Sequence, residues 1–500
     1  MSIKTYVLAI SAGVILVLSF PPVNFTFLIW FALVPLFLAI YFSKNPKEAA
    51  IVGSLTGLVF YGISLNWFFK IFGVLAAGLI CLLAIFIGVF SFLVKYIYSD
   101  SSSPSLPEPP KQQLTSPSRK SLSLKGLLLF IPVCWVALEF FRSELWCLKF
   151  PWLALGYSQW NHLPLLQLAS LGGVYGLSFL IALVNGVVFR SLLIKRSDAG
   201  FKLRWHLSPL IIIIIIMGIA LYWGNWVIGA RTHLKGSPGN EQIVVAAIQD
   251  ESFVQKKLMT ATKEAARDEP KFIVWREYST FLPPGEKESR LVPLLNLAKD
   301  TNAYLVIGFL EFFGFGKKGF ENYALLFSPK GRIIGKYTKI HLIHFIEWGF
   351  EKGKDYGIFE TEHGKVGIQI CFDLDYEDLT RRMVKLGAEM FFVPSLNPMF
   401  WGKWEHLQHS AMAPLRAVES RRWIVRAASS GMSQIIDPYG RVLDSLPIGS
   451  EGILIGKISA NNEITFYHQY GWVFPYICLG GLAAGFGMKF FLDRGKRGNK

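Results

Sequence analysis

Stretches of about twenty predominantly apolar residues constrain this chain more than anything else in it, because in lipid every backbone N–H and C=O has to be satisfied within the segment itself. Such runs lie at 6–20, 24–42, 49–72, 73–98, 125–142, 165–193, 207–230 and 470–492, and each is expected to form a membrane-crossing helix. Composition agrees: 52% of the 500 residues are hydrophobic and 15% aromatic, too apolar for an ordinary soluble protein. The first run lacks a small-residue cleavage site and is soon followed by another, so it is expected to stay as a helix. Residues 99–123 are rich in Ser and Pro and are expected to form a disordered loop. Residues 143–162 carry Trp146, Trp152 and Trp160 and read as re-entrant or interfacial, the tryptophans serving as interfacial anchors.

The net charge of +16 would suit nucleic acid, but the excess sits in loops beside the apolar runs, which excludes that partner. In the short segments beside the runs most Lys and Arg, such as Lys4, Lys44, Lys47, Lys195, Arg196 and Arg494, fall on one side, and the positive-inside rule then predicts that both termini are cytoplasmic. The expected division is a membrane domain over 1–238, an outward-facing soluble domain over 239–462, and an eighth helix with a basic tail over 463–500.

Within that insert, 242–249, 272–277, 303–309, 322–328, 366–371, 389–394 and 423–428 read as strands, and 254–267, 289–299, 376–386 and 405–421 as helices. Strands alternating with helices predict an α/β layered domain, with 322–337 as a hairpin.

Three strand ends carry useful chemistry. Trp275-Arg-Glu277 presents a carboxylate, Lys336-Tyr-Thr-Lys339 an amine, and Ile370-Cys371-Phe372-Asp a thiol. Cys371 is the only cysteine of the soluble part, and no Cys/His spacing suggests zinc. At a strand-to-helix turn, backbone N–H groups favour a thiolate and can hold an oxyanion. Glu277 is the expected base, and Lys339 with the Phe372 N–H the expected oxyanion partners. Together they make an acyl-transfer site.

Glu-Lys-Cys in this order, in WRE, YTK and ICFD contexts, resembles the carbon–nitrogen hydrolase (nitrilase) superfamily, which implies an αββα sandwich. Phe20-Pro-Pro, Pro151-Trp-Leu-Ala-Leu-Gly-Tyr-Ser-Gln, Lys339-Ile-His-Leu-Ile-His-Phe-Ile-Glu347, and His409 with Arg416-Ala-Val-Glu419 narrow the resemblance to the membrane-embedded apolipoprotein N-acyltransferases. That resemblance implies a bacterial inner-membrane monomer that needs no cofactor or metal. Its partners would be the lipid bilayer, a phospholipid acyl donor and a diacylglyceryl lipoprotein acceptor. Cys371 would take an acyl group from the sn-1 ester as a thioester and pass it to the lipoprotein α-amine, with Glu347 orienting Lys339.

The chain departs from that family at His344, Ile346, Phe372 and Asp373, and the interval between Glu347 and Cys371 is short. These departures support an alternative, a membrane-anchored nitrilase-type amidase using water; a non-enzymatic scaffold is a third reading. The spacing His341-x-x-His344-x-x-Glu347 resembles a metal motif, but it falls where the family has a non-metal loop. Loops 312–320 and 399–404 carry aromatics suited to a lipid surface.

Overall fold

The computed structural model describes residues 2–98, 124–192, 195–197, 200–202, 207–232, 241–252, 254–314 and 319–498. The loop expected at 99–123, the expected domain boundary near 239 and the tip of loop 312–320 lie outside the described residues.

Helices occupy the apolar runs, at Ile3–Leu18, Val34–Phe42, Pro46–Ser64, Leu75–Tyr98, Leu124–Phe140, Ala169–Ser191, Leu207–Thr232 and Phe474–Gly498. Among the described residues, four stretches are long and apolar enough to cross a membrane: Leu75–Ile97, Ala169–Ser191, Leu210–Ala230 and Gly471–Phe491. Ile3–Leu18 and Thr26–Phe42 are apolar but shorter. The helix Leu207–Thr232 leaves Ile211, Ile212, Ile214, Ile215 and Ile219 between 54% and 68% exposed, a face made for lipid rather than water.

Three runs are broken where the sequence suggests continuous helices, and in the run at 24–42 the 3-10 segment Thr26–Trp30 precedes the α-helix Val34–Phe42. The run at 49–72 begins earlier, because Asn45 caps the Glu48 N–H and Pro46 opens the first turn. It stops at Ser64 and resumes as the short helix Phe68–Phe72, which Gly73 ends at φ +55°. The run at 165–193 kinks at Gly173, φ +63°. A Cβ there would lie 2.5 Å from the Tyr467 ring. The kink leaves the Val174 N–H free to donate to Glu419 Oε1 at 2.8 Å, an acceptor from the soluble domain.

In that domain two sheets face each other. The first runs Gly452–Ile458, Ile243–Gln249, Phe272–Val274, Tyr304–Phe312, Phe320–Phe327 and Ile333–Thr338, with its last two strands forming the expected hairpin. The second runs Ile358–Thr361, Gly364–Ile368, Met390–Pro394, Trp423–Ala427, Gln434–Ile436 and Val442–Ser445. Alternate residues point between them, so Val245, Phe272, Val274 and Val306 pack on Ile368, Phe392 and Val425. Their other faces carry helices: Gln255–Ala265 and Lys287–Thr301 cover the first sheet, Glu377–Lys385 and Met412–Ser420 the second. This is the αββα sandwich.

The expected helix over 405–421 is two helices, Lys403–Ser410 and Met412–Ser420, and both dock on the membrane part. Gln408 Nε2 donates to Ser64 O (2.9 Å), and its Oε1 accepts from Trp67 Nε1 (3.1 Å). Arg416 pairs with Glu419 and donates to Tyr157 OH at 2.6 Å. Trp152 Nε1 donates to Asp375 Oδ2 at 2.6 Å. Segment 143–162 therefore places the buried Trp152 between the two halves, while Trp146 and Trp160 are half-buried against Phe86 and Asn24 of the membrane part.

Candidate active site

Glu277 follows the strand Phe272–Val274, Lys339 is the first residue after Ile333–Thr338, and Cys371 comes three residues after Gly364–Ile368. Facing sheets thus bring these ends to one edge of the sandwich. All are buried: Lys339 is 1% exposed, Glu277 and Cys371 2%, Glu347 4%. Gly308 runs beneath Glu277, where a Cβ would come within 2.8 Å of the Glu277 Cα.

Lys339 Nζ donates to Glu277 Oε1 at 2.9 Å and to Glu347 Oε1 at 3.0 Å. Asn322 Nδ2 bridges the same two oxygens at 2.6 and 2.8 Å, and Tyr278 OH donates to Glu347 at 2.7 Å. The second Glu347 oxygen accepts from the Ile343 N–H at 2.7 Å. Glu347 is therefore held by its own loop and in turn holds the lysine. Leu396 ties base to thiol: its N–H donates to Glu277 Oε2 at 3.0 Å, and its carbonyl lies 3.6 Å from Cys371 Sγ.

Cys371 does not sit at the N-terminus of an α-helix. It opens a 3-10 turn, Cys371–Asp375, at φ +48°, and the α-helix starts only at Glu377. A β-carbon at positive φ is strained, and Asp373 braces the turn. Its carboxylate accepts from the Ile370 N–H (3.1 Å), Tyr337 OH (2.7 Å) and the His341 N–H (2.7 Å), fastening the nucleophile turn to the lysine strand.

The thiolate expected from a helix terminus is not favoured at rest. Burial, and then the charge of Glu277, push the Cys371 thiol well above its ordinary range, against Lys339 and Arg426. Burial also raises Glu277, opposed by Lys339 and assisted by Glu347. Burial works against the Lys339 ammonium, but Glu277 and Glu347 outweigh it and hold the lysine charged, above the usual lysine range. The site therefore rests with a thiol, a glutamate that binds protons more readily than an ordinary one, and a fixed cation.

Cys371 faces an almost wholly apolar groove enclosing about 790 Å³ of empty volume, part of it open to the outside. Trp67, Phe68, Phe72 and Leu83 from the membrane part form one wall, and Phe372, Trp401 and loop 343–346 line the other. Phe345 meets Phe72 edge-on at 6.3 Å across the mouth. Trp401 places loop 399–404 in the groove, while Met399 and Phe400 stay exposed.

The three residues of the metal-like spacing face different partners. His341 pairs with Asp373 and stacks on Tyr376 at 4.0 Å, Glu347 holds Lys339, and His344 lines the groove. Sequence reasoning named Glu277, Lys339, Cys371, Glu347 and Phe372; it missed the structural parts played by Asn322, Tyr278, Asp373 and Leu396. Asp373 stood in the quoted motif, but its bracing contacts come from strands distant in sequence.

Residues 12–187 match the model of the apolipoprotein N-acyltransferase N-terminal domain, and residues 243–465 match that of carbon-nitrogen hydrolase. The chain is 28% identical to the apolipoprotein N-acyltransferase of Geobacter metallireducens, over 96% of this chain and 94% of that one. It is 29% identical to that of Coxiella burnetii, over 90% and 93%. Among solved structures it is similar to Saccharomyces cerevisiae Nit3, a member of branch 10 of the nitrilase superfamily, at 23% identity and TM-score 0.38, over 44% of this chain and 90% of that one.

Proposed function

Because the chain belongs to the apolipoprotein N-acyltransferases, the membrane-embedded branch of the carbon–nitrogen hydrolases, we propose that it moves a fatty acyl group from a phospholipid through Cys371 to the α-amine of a diacylglyceryl-cysteine lipoprotein. The observation that carries this reading is the apolar groove, which runs from the thiol to helices of the membrane part and suits an acyl chain better than a small polar amide.

In the first half-reaction Glu277 takes the thiol proton as Sγ attacks the ester carbonyl. The Lys339 ammonium and the Phe372 N–H hold the oxyanion. The C–O bond breaks, the proton passes to the leaving lysophospholipid, and the acyl chain stays as a thioester. In the second, the acceptor amine attacks the thioester, Glu277 takes its proton, and the C–S bond breaks to restore the thiol. Because Cys371 starts as a buried thiol, the proton moves with attack rather than before it. The short interval between Glu347 and Cys371 is occupied by Phe350–Glu351 and the paired strands Ile358–Thr361 and Gly364–Ile368, and the groove is lined instead by loop 343–346, just ahead of Glu347.

The enzyme would lie in the bacterial cytoplasmic membrane as a monomer, with the sandwich facing outward and both termini inside. For that orientation the supporting observation is the sidedness of Lys and Arg in the short segments beside the apolar runs. Purified protein incubated with phospholipid should form a hydroxylamine-sensitive fatty-acyl thioester at Cys371, seen by mass spectrometry. A folded protein that never acquires this adduct would refute the reading.

A further inference from the structure

One buried acid group in the lining of the groove has no part in the chemistry above. Glu405, in the first turn of Lys403–Ser410, is 1% exposed and is the only carboxylate lining the groove with Cys371 among the described residues. Its Oε1 accepts from Asn397 Nδ2 at 2.8 Å, but Oε2 is buried without a hydrogen-bond partner. A buried carboxyl group with one oxygen unsatisfied is costly whether or not it is ionised, and it points to a ligand that completes it.

The neighbours that face it do not complete it. His406 Nε2 stands 3.5 Å from Oε2 but lies 3.0 Å from the Pro398 carbonyl. His409 Nδ1, 3.6 Å from Oε1, accepts from Arg426 Nη2 at 2.9 Å, which turns its Nε2 towards Asp375 Oδ1 at 3.3 Å. Arg426 spends the same nitrogen on Asn397 Oδ1 at 2.7 Å. The backbone places Glu405 well for a role in the reaction: Leu396 holds Glu277 and Cys371, and the next residue, Asn397, holds Glu405.

We propose that Glu405 receives the acceptor, its carboxylate holding the α-ammonium of the incoming lipopeptide and taking one proton from it so that a neutral amine faces the thioester. This inference rests on the acyl-transfer reading. One N–H bond of the ammonium breaks and an O–H bond forms on Glu405. The freed lone pair forms the C–N bond, Glu277 takes the second proton and returns it to Sγ as the C–S bond breaks, and Glu405 gives its proton to water when the amide leaves. Burial, opposed by Arg426 and Asn397, lifts the Glu405 carboxyl to about 8. An α-ammonium titrates in that range, at roughly 7.7–8.0, so the proton passes with little cost in either direction.

The test uses full-length protein acylated with phosphatidylethanolamine in mixed micelles, then chased either with a synthetic diacylglyceryl-cysteinyl peptide or with hydroxylamine, which arrives as a neutral nucleophile. Glu405→Gln should slow transfer to the peptide by about a hundredfold, the scale of a lost proton acceptor, and slow release by hydroxylamine far less. Glu405→Asp, which keeps the charge, should recover part of the peptide rate, and it carries the test if the glutamine variant does not fold. Equal losses with the two nucleophiles, or no loss with either, would overturn the proposal. A wild-type protein that forms no thioester would instead overturn the acyl-transfer reading beneath it.

Discussion

The groove has two unlike walls. The sandwich side is polar behind its surface: Glu277, Lys339, Glu347, Asn322 and Tyr278 form one buried network in which each charge has a partner. On the membrane side Trp67, Phe68, Ile71, Phe72 and Leu83 offer apolar area, with Lys149 in the same lining. One wall fixes atoms to within a hydrogen bond, and the other accepts any chain that fits. The two walls meet at a seam where Phe345 packs on Phe72 and Trp152 hydrogen-bonds Asp375, and on the proposed reading that seam would select a lipid ester.

Substitutions in the two walls should separate by donor chain length. The largest effect belongs to Glu277→Gln, which keeps the shape and removes the base: acylation should slow by about 10³-fold for short-chain and long-chain esters alike. Lys339→Met should cost about 10²- to 10³-fold in acylation rate, again regardless of chain length. It also strands two buried carboxylates, so thermal unfolding should be followed in parallel. Phe72→Ala should behave differently. Losing the cover of about two methylenes costs roughly 1.6 kcal/mol, about fifteenfold in kcat/KM, for long-chain phospholipids only. A short-chain ester that lost as much would show that Phe72 supports the catalytic wall rather than the lipid.

The same contrast governs what could be read from sequence. Glu277, Lys339 and Cys371 each end a strand, and a strand end is visible as an apolar run closing on a reactive residue. The sandwich followed from the alternation of strands and helices, but the short strands Thr280–Leu282, Gln434–Ile436 and Val442–Ser445 were too weakly patterned to be found. The membrane wall was hidden for another reason. Its contacts join residues far apart, such as Trp152 and Asp375 or Trp67 and Gln408, and no local periodicity records such meetings. The breaks at Ser64 and Gly173 were invisible for the same cause: each suits a partner from the other half of the molecule, Gln408 in one case and Tyr467 with Glu419 in the other.

The smallest effect lies within the polar wall, at Glu347. Acylation needs Glu277 as a carboxylate, and its folded pKa is raised, so the rate should be lost as pH falls through a value above the ordinary glutamate range. Part of that rise comes from the charge of Glu347, after the larger contribution of burial. Glu347→Gln removes the charge and leaves an oxygen that can still accept from Lys339. Glu277 then feels the lysine with less opposition, its pKa falls, and the acid limb of the rate profile should move to lower pH while the alkaline plateau changes only a few-fold. A limb that stayed in place would mean that Glu347 acts on Lys339 by position alone. A limb that moved upward would mean that losing one carboxylate had loosened the lysine from Glu277, making the glutamate less easily ionised. The profile of this one variant therefore distinguishes a charged neighbour from a mechanical support inside the wall where both descriptions fit the same hydrogen bonds.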